Sequence, residues 1–323
     1  MNRTTLYDEV TASIVAALEA GAAPWSASWT GNAAPLAMPL RHNGIEYKGI
    51  NTLILWLTAQ DRGYGAPRWL TFKQALELGG NVRKGEKGSK IVYYGAMERE
   101  RDNAKTGDSE TQRIPFLKSY AVFNAEQCEG LPSDFCPASI APASDEAGRL
   151  ADAETFFANI GAKRIEASNR AFYSPSADQI TLPPFATFNT PAAFYSVQAH
   201  EHIHWTMTAG RCDRNTAKGN RFGDDAYAME ELVAELGAAF VCAQLGIVNE
   251  TRDDHAAYLS AWLSVLKKDS RAIFTVAAAA SKAANYLASL QPGGEEAPAA
   301  PAPAPAAIVA APQAAPAAQL ALF

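Results

Sequence analysis

The amino-acid sequence predicts an α+β fold: a mixed first half, a mainly helical second half and an unfolded tail. Three observations carry that expectation. Up to about residue 130, helix candidates with apolar residues at helical spacing are mixed with short β-rich runs. From residue 146 to 290 helical patterns dominate, and residues 291–318 are mostly Ala and Pro, too poor in large apolar side chains to fold. The expected organisation is a domain at 1–130, a linker rich in Pro, Ala and Ser at 131–145, a second domain at 146–290 and a tail at 291–323.

Taken in order, Leu6, Val10, Ile14 and Leu18 recur at helical spacing and predict a helix over residues 4–19, stopped by Gly21. Trp25 and Trp29 follow in a loop, at least one of them a core anchor. An apolar helix over 47–61 is entered through Gly49 and Asn51, and a shorter helix over 71–78 is closed by Gly79 and Gly80. Strand character appears at 91–94 and resumes at 116–123, with the polar residues 98–113 between them expected as an exposed hairpin tip or disordered loop. Further helices are expected over 146–160, where Gly161 stops the chain, and over 224–245, 255–266 and 271–290; a hairpin is expected over 172–182.

The stretch with the most chemistry is His200-Glu201-His202-Ile203-His204, an H-E-x-x-H pattern on a helix started by Thr190 as N-cap and Pro191 at the first helical position. Residues four apart share a helix face, so the imidazoles of His200 and His204 can close on one Zn2+ or another divalent ion, with Glu201 as the general base beside it. His202, two residues from each, points elsewhere, to solvent or to a supporting position. A catalytic zinc needs a third protein ligand. The 224–245 helix offers Glu230, Glu231 and Glu235 among small residues that let two helices approach closely. Glu231 is the expected ligand, Glu235 the carboxylate that orients a ligating histidine, and Glu230 the alternative ligand. The strand before this helix could form the rim of a peptidase cleft, with Tyr173 as a rim residue or oxyanion donor.

Composition narrows the setting. Hydrophobic residues at 48% and charged residues at 19% are ordinary for a globular protein, and nothing resembles a membrane span or secretory leader, so a cytoplasmic protein without a membrane partner is expected. Cys128, Cys136, Cys212 and Cys242 lack C-x-x-C spacing and are expected as thiols. The net charge of −6 hides a basic segment: residues 40–95 hold nine Lys or Arg against four acids. There aromatics, cations and glycines interleave, as a binder of unpaired nucleic acid requires, and Tyr47, Lys48, Tyr64, Arg68, Lys73, Arg83, Lys84 and Lys87 are the candidate contacts. Solvated basic turns around core aromatics would match this pattern as well.

The long stretches Tyr47-Lys-Gly-Ile-Asn-Thr-Leu, Pro67-Arg-Trp-Leu-Thr-Phe-Lys-Gln-Ala and Gly80-Asn-Val-Arg-Lys-Gly-Glu-Lys-Gly, with His200-Glu201-x-x-His204-Trp205-Thr206 and Glu230-Glu-Leu-Val-Ala-Glu-Leu-Gly-Ala, resemble the ArdC-type antirestriction proteins of conjugative plasmids. The N-terminal region of that family is shared with TraC-type plasmid primases. The resemblance runs from the first helix to Leu290. It implies a single-stranded-DNA-binding domain fused to a zincin-like metallopeptidase domain, protection of an incoming plasmid strand from host restriction endonucleases, and His200, His204 and Glu231 as ligands with Glu201 as base. A host restriction endonuclease or another protein is then the expected peptidase substrate. The rival expectation is a pure single-strand shield whose metal site is structural or vestigial. Separately, the tail ends in Gln319-Leu320-Ala321-Leu322-Phe323, which resembles the pentapeptide by which many bacterial replication and repair proteins dock on the sliding clamp, here on a Pro/Ala tether.

Overall fold

Thr5 starts the first helix by a reciprocal cap: its hydroxyl accepts from the Asp8 amide at 3.3 Å, and the Asp8 carboxylate accepts from the Thr5 amide at 2.9 Å. In the computed structural model, which describes residues 5–26, 36–102, 109–135, 150–167, 169–214, 225–249 and 255–293, this helix is α1, Leu6–Glu19. Its buried stripe is Val10, Ile14 and Leu18, the apolar series of the sequence. β1 (Leu40–Arg41) leads to α2 (Ile50–Arg62), whose two ends need left-handed backbone that glycine supplies: Gly49 at φ +61° and Gly63 at φ +71°. β2 (Arg68–Leu70), α3 (Phe72–Glu77) and β3 (Asn81–Val82) follow, then the hairpin strands β4 (Ser89–Asp102) and β5 (Ser109–Asn124), and β6 (Cys128–Glu129).

The larger sheet has the order β1-β2-β5-β4, with Leu40 opposite Arg68 in a parallel pair and Leu70 opposite Phe123 in an antiparallel one. Asn51 of α2 closes the outer edge at β4. Its amide donates to Val92 O at 2.8 Å and accepts from Val92 N at 2.7 Å, as a neighbouring strand would. The polar segment 98–113 is therefore strand as far as Asp102 and again from Ser109, so the hairpin is longer than its hydrophilicity suggested. β3 and β6 form a separate two-stranded pair over a small cluster that includes Phe135. The first residues of the expected linker thus pack, while 136–149 lie outside the described residues.

The second half begins with α4 (Ala151–Ile160), then β7 (Lys163–Glu166), β8 (Phe172–Ser174) and β9 (Gln179–Leu182). β9 is central: β7 pairs parallel to it and β8 antiparallel, so the expected hairpin gains a third strand. The helices α5 (Pro191–Trp205), α6 (Asp225–Gln244), α7 (His255–Lys268) and α8 (Ala272–Ser289) complete the fold. The described residues within 1–95 and 117–297 form one compact unit, and those within 96–116 belong to another. Within the first unit, Ile14, Leu53 and Trp56 share one core cluster with Phe157, Phe194, Phe240 and Ile273. The two sequence halves therefore fold around common apolar ground. Among the described residues no helix is long and apolar enough to cross a membrane. Trp25 is fully buried, while Trp29 falls outside the described residues. Cys128, Cys212 and Cys242 are thiols, and Cys136 likewise lies outside.

α5 and α6 meet where α6 has no side chain. A Cβ placed on Gly237 would stand 2.7 Å from two carbons of Ile203 and 2.9 Å from a third. Ile203 is fully buried and stiff at χ1, so it cannot swing aside. Gly237→Ala is expected to cost about 1–3 kcal/mol through overpacking, despite the better helix propensity of alanine. Thermal unfolding checks this, and a melting temperature at or above that of the parent would contradict it.

Candidate metal centre

Helix α5 begins where the sequence placed it. The Thr190 hydroxyl accepts from the Ala193 amide at 3.0 Å, and Pro191 occupies the first turn. One turn before the C-terminus, His200 and His204 converge until their Nε2 atoms are 3.1 Å apart. From α6, Glu231 brings one carboxylate oxygen to 3.5 Å from His200 Nε2 and the other to 3.6 Å from His204 Nε2. One ligand atom from each of the three can be chosen so that all lie within 4.8 Å of one another. Ligands bonded to a tetrahedral ion at about 2.0–2.1 Å stand roughly 3.3–3.4 Å apart, and the 3.1 Å between the two Nε2 atoms and 3.5–3.6 Å from them to the two Glu231 oxygens are near that spacing.

The electrostatics fit a cation. Burial works against a charged His204, but hydrogen bonds to Glu230 and Glu231 and the charges of Glu231 and Glu201 raise its pKa to about 10. Burial likewise opposes charge on Glu231, yet the two imidazoles hold it far below the usual carboxylate range. Two imidazole nitrogens and a carboxylate oxygen are a donor set suited to a divalent transition metal.

Around the three lies a supporting layer, partly invisible in the sequence. Glu230, the alternative ligand, turns instead to the far side of His204, where its Oε1 is 3.3 Å from Nδ1. Its carboxylate is gripped by Arg214, at 2.8 Å from Nη2 and 3.1 Å from Nε, and Arg214 also donates to Thr206 Oγ1 and to the Ile203 carbonyl, each at 2.7 Å. Burial raises the pKa of Glu230, but the bonds from His204 and Arg214 prevail and bring it to about 2. Glu235 faces His200 Nδ1 at 3.5 Å, an ion-pair distance. Tyr227, at the start of α6, reaches Glu231 with its hydroxyl, which is also 3.3 Å from that of Tyr258.

Glu201 is only 2% exposed, on α5 next to His200. His202 is not at solvent: it is buried on the opposite side, where Nδ1 donates to the Gln198 carbonyl at 2.7 Å and the ring packs 4.7 Å from that of Phe157. Burial brings its pKa down to about 4, so it is a neutral core residue. The Tyr173 hydroxyl donates to Asp178 at 2.9 Å, and Asp178 pairs with Arg211, whose guanidinium lies 3.5 Å over the Trp205 ring at the end of α5. Tyr173 therefore helps clamp the β8–β9 turn to α5, with its hydroxyl proton donated to Asp178.

The residues expected to touch nucleic acid separate into two groups. Lys48, Lys73, Arg83, Lys84 and Lys87 are exposed, with Lys73 near Glu77 at 3.5 Å and Arg83 on Glu86 at 2.9 Å. Tyr47 is a correction: at 6% exposure it packs with Leu55, Trp69 and Val122 and offers no ring to a base. Tyr64 is half-buried, edge-on to Trp69, and Arg68 lies over Phe135 and donates to the His42 carbonyl at 3.0 Å. Both belong to the scaffold. Gln319, Leu320, Leu322 and Phe323 lie outside the described residues.

Comparison with known proteins agrees with this geometry. Residues 4–123 match the N-terminal domain of anti-restriction factor ArdC, and residues 151–280 match a zincin-like metallopeptidase domain. The chain is 38% identical to the uncharacterized protein y4eC of Sinorhizobium fredii, across 88% of this chain and 92% of that one. It is 33% and 34% identical to two forms of DNA primase TraC from Escherichia coli, but spans only 20% and 27% of their lengths. The crystal structure of antirestriction protein ArdC from plasmid R388, in a metal-free form, superposes with a TM-score of 0.75 at 44% identity, covering 89% of this chain and 98% of that one. Its Mn(II)-bound form gives 0.71 at 43% identity over the same shares.

Proposed function

The chain belongs to the ArdC antirestriction family, and from that premise we propose that it binds single-stranded DNA non-specifically, protects incoming plasmid DNA from host restriction endonucleases and carries a zinc-dependent peptidase centre. The observation that carries the peptidase half is the convergence of His200, His204 and Glu231 on one point in a buried site. On this reading 1–130 is the DNA-binding part and 146–290 the peptidase part. The substrate is a protein, with a restriction endonuclease as the leading candidate, and the protein works in the cytoplasm. The terminal pentapeptide 319–323 would tether it to a sliding clamp.

His200 Nε2, His204 Nε2 and one Glu231 oxygen would hold the ion. A divalent ion so placed supplies Lewis acidity toward a peptide carbonyl and toward water. Zinc suits two imidazoles and a carboxylate, though the same set accepts manganese, the ion named for the relative. Glu230 would accept from His204 Nδ1 at 3.3 Å, and Glu235 faces His200 Nδ1 at 3.5 Å, an arrangement that favours free lone pairs on both Nε2 atoms. Glu201 takes a proton from the attacking water on a carboxylate oxygen and returns it to the departing amine nitrogen.

The direct test is metal content. Purified protein is expected to carry about one equivalent of divalent metal, and the His200→Ala variant to retain little after dialysis. Equal content in both would remove the peptidase reading and leave the DNA-binding one untouched.

A further inference from the structure

The hairpin of β4 and β5 carries a surface that the metal centre does not use. Tyr93 and Tyr120 stand on neighbouring strands, 51% and 48% exposed, with ring centroids 6.0 Å apart and planes at 78°. Alternation along a strand assigns them one face of the sheet. Tyr93 shares it with Ile91, and Tyr120 shares it with Val122, both part of the cluster around Trp69 and Leu55. Helix α2 covers that end of the face through Leu55, and the covering stops before the tyrosines. Lys118, two residues ahead of Tyr120 and so on the same face, is also exposed. On the other face of β4, Val92 is buried and Tyr94, although 54% exposed, already has its ring against Phe274 at 6.4 Å.

We infer that the Tyr93–Tyr120 pair is the base-stacking platform for unpaired DNA, with Lys118 meeting the phosphate backbone. This rests on the proposed single-strand binding and names the surface that performs it. Three features favour that occupant. Two half-exposed rings on adjacent strands offer aromatic surface to solvent, and stacking on aromatic rings tolerates any base, as non-specific binding requires. Each ring ends in a hydroxyl that tolerates water, so the face needs no apolar partner to cover it. A cation beside the rings suits a strand with one phosphate per base. The sequence candidates pointed elsewhere because Tyr47 and Tyr64, the aromatics nearest the basic turns, face inward, and the signal at 91–94 was one of strand alone.

The test uses the full chain and a fluorescent oligo(dT) strand. The double variant Tyr93→Leu with Tyr120→Leu keeps apolar bulk on the strands and removes both rings, and it is expected to lose at least about tenfold in affinity. Its salt dependence should keep the parent slope, since no phosphate contact is removed. Tyr93→Phe with Tyr120→Phe keeps the rings and should bind within about twofold of the parent, which separates stacking from a loss of folding, also followed by thermal unfolding. Alanine at Arg83, Lys84 and Lys87 should instead weaken affinity and flatten the salt slope together. Parent-level binding by the leucine pair overturns the platform while leaving single-strand binding intact. A parent protein that does not bind the oligonucleotide overturns both.

Discussion

Replacing Arg214 with leucine is expected to weaken metal binding about 10–100-fold although Arg214 touches no proposed ligand. The guanidinium and the Glu230 carboxylate are both nearly buried, with side-chain exposures of 8% each, and pair at 2.8 Å. Removing one partner strands the other charge away from water, a loss of about 3–5 kcal/mol in comparable cases. Glu230 would then relax or take up a proton, and His204 would lose the acceptor that holds its Nδ1–H. A lysine at this position keeps the charge but not the two-pronged geometry, so an intermediate effect is expected. Adding Glu230→Gln to the leucine variant should recover part of the stability, because the stranded charge is gone, but not the metal affinity. Titration with Zn2+ and thermal unfolding of the three variants decide this. Parent affinity in the leucine variant would show that Glu230 does not orient His204.

The sequence disclosed the convergence of His200, His204 and Glu231 and, through Glu235, only part of what surrounds it, for a physical reason. Helix caps, H-E-x-x-H spacing and the Glu231-to-Glu235 interval are local: each needs only the geometry of one helix, and each appears where expected. The small residues of α6 also announced close packing, realised at Gly237 against Ile203. Arg214 stands in a polar stretch where an arginine is ordinarily solvated, and only the fold of the segment after α5 turns it under that helix. Tyr47 failed in the opposite sense, since its neighbours Arg41 and Lys48 are exposed and it alone points inward. β7 was missed because Lys-Arg-Ile-Glu has almost no apolar alternation, and its strand identity comes from pairing with β9. The core common to both halves was hidden as well, because contacts between residues two hundred positions apart leave no periodic trace.

Glu201→Gln is expected to keep the metal and to lower peptide hydrolysis by about 10²–10⁴-fold, the usual weight of a general base. Glutamine has nearly the same volume, so a side chain that is 2% exposed is replaced without opening a cavity. It cannot accept a proton at neutral pH, and metal content should be unchanged because the three proposed ligands remain. Cleavage at the parent rate would show that another group takes the proton. The same variant decides what the family's protection depends on. A plasmid transferred into a restricting host with Glu201→Gln protein, at equal abundance and equal affinity for single strands, is either protected or cut. Full protection assigns antirestriction to the DNA-binding surface alone and makes the metal a device for joining α5 to α6. Lost protection makes hydrolysis of a host protein the operative step, because DNA affinity and fold are held constant and the only change is one ionisable oxygen beside the metal ligands.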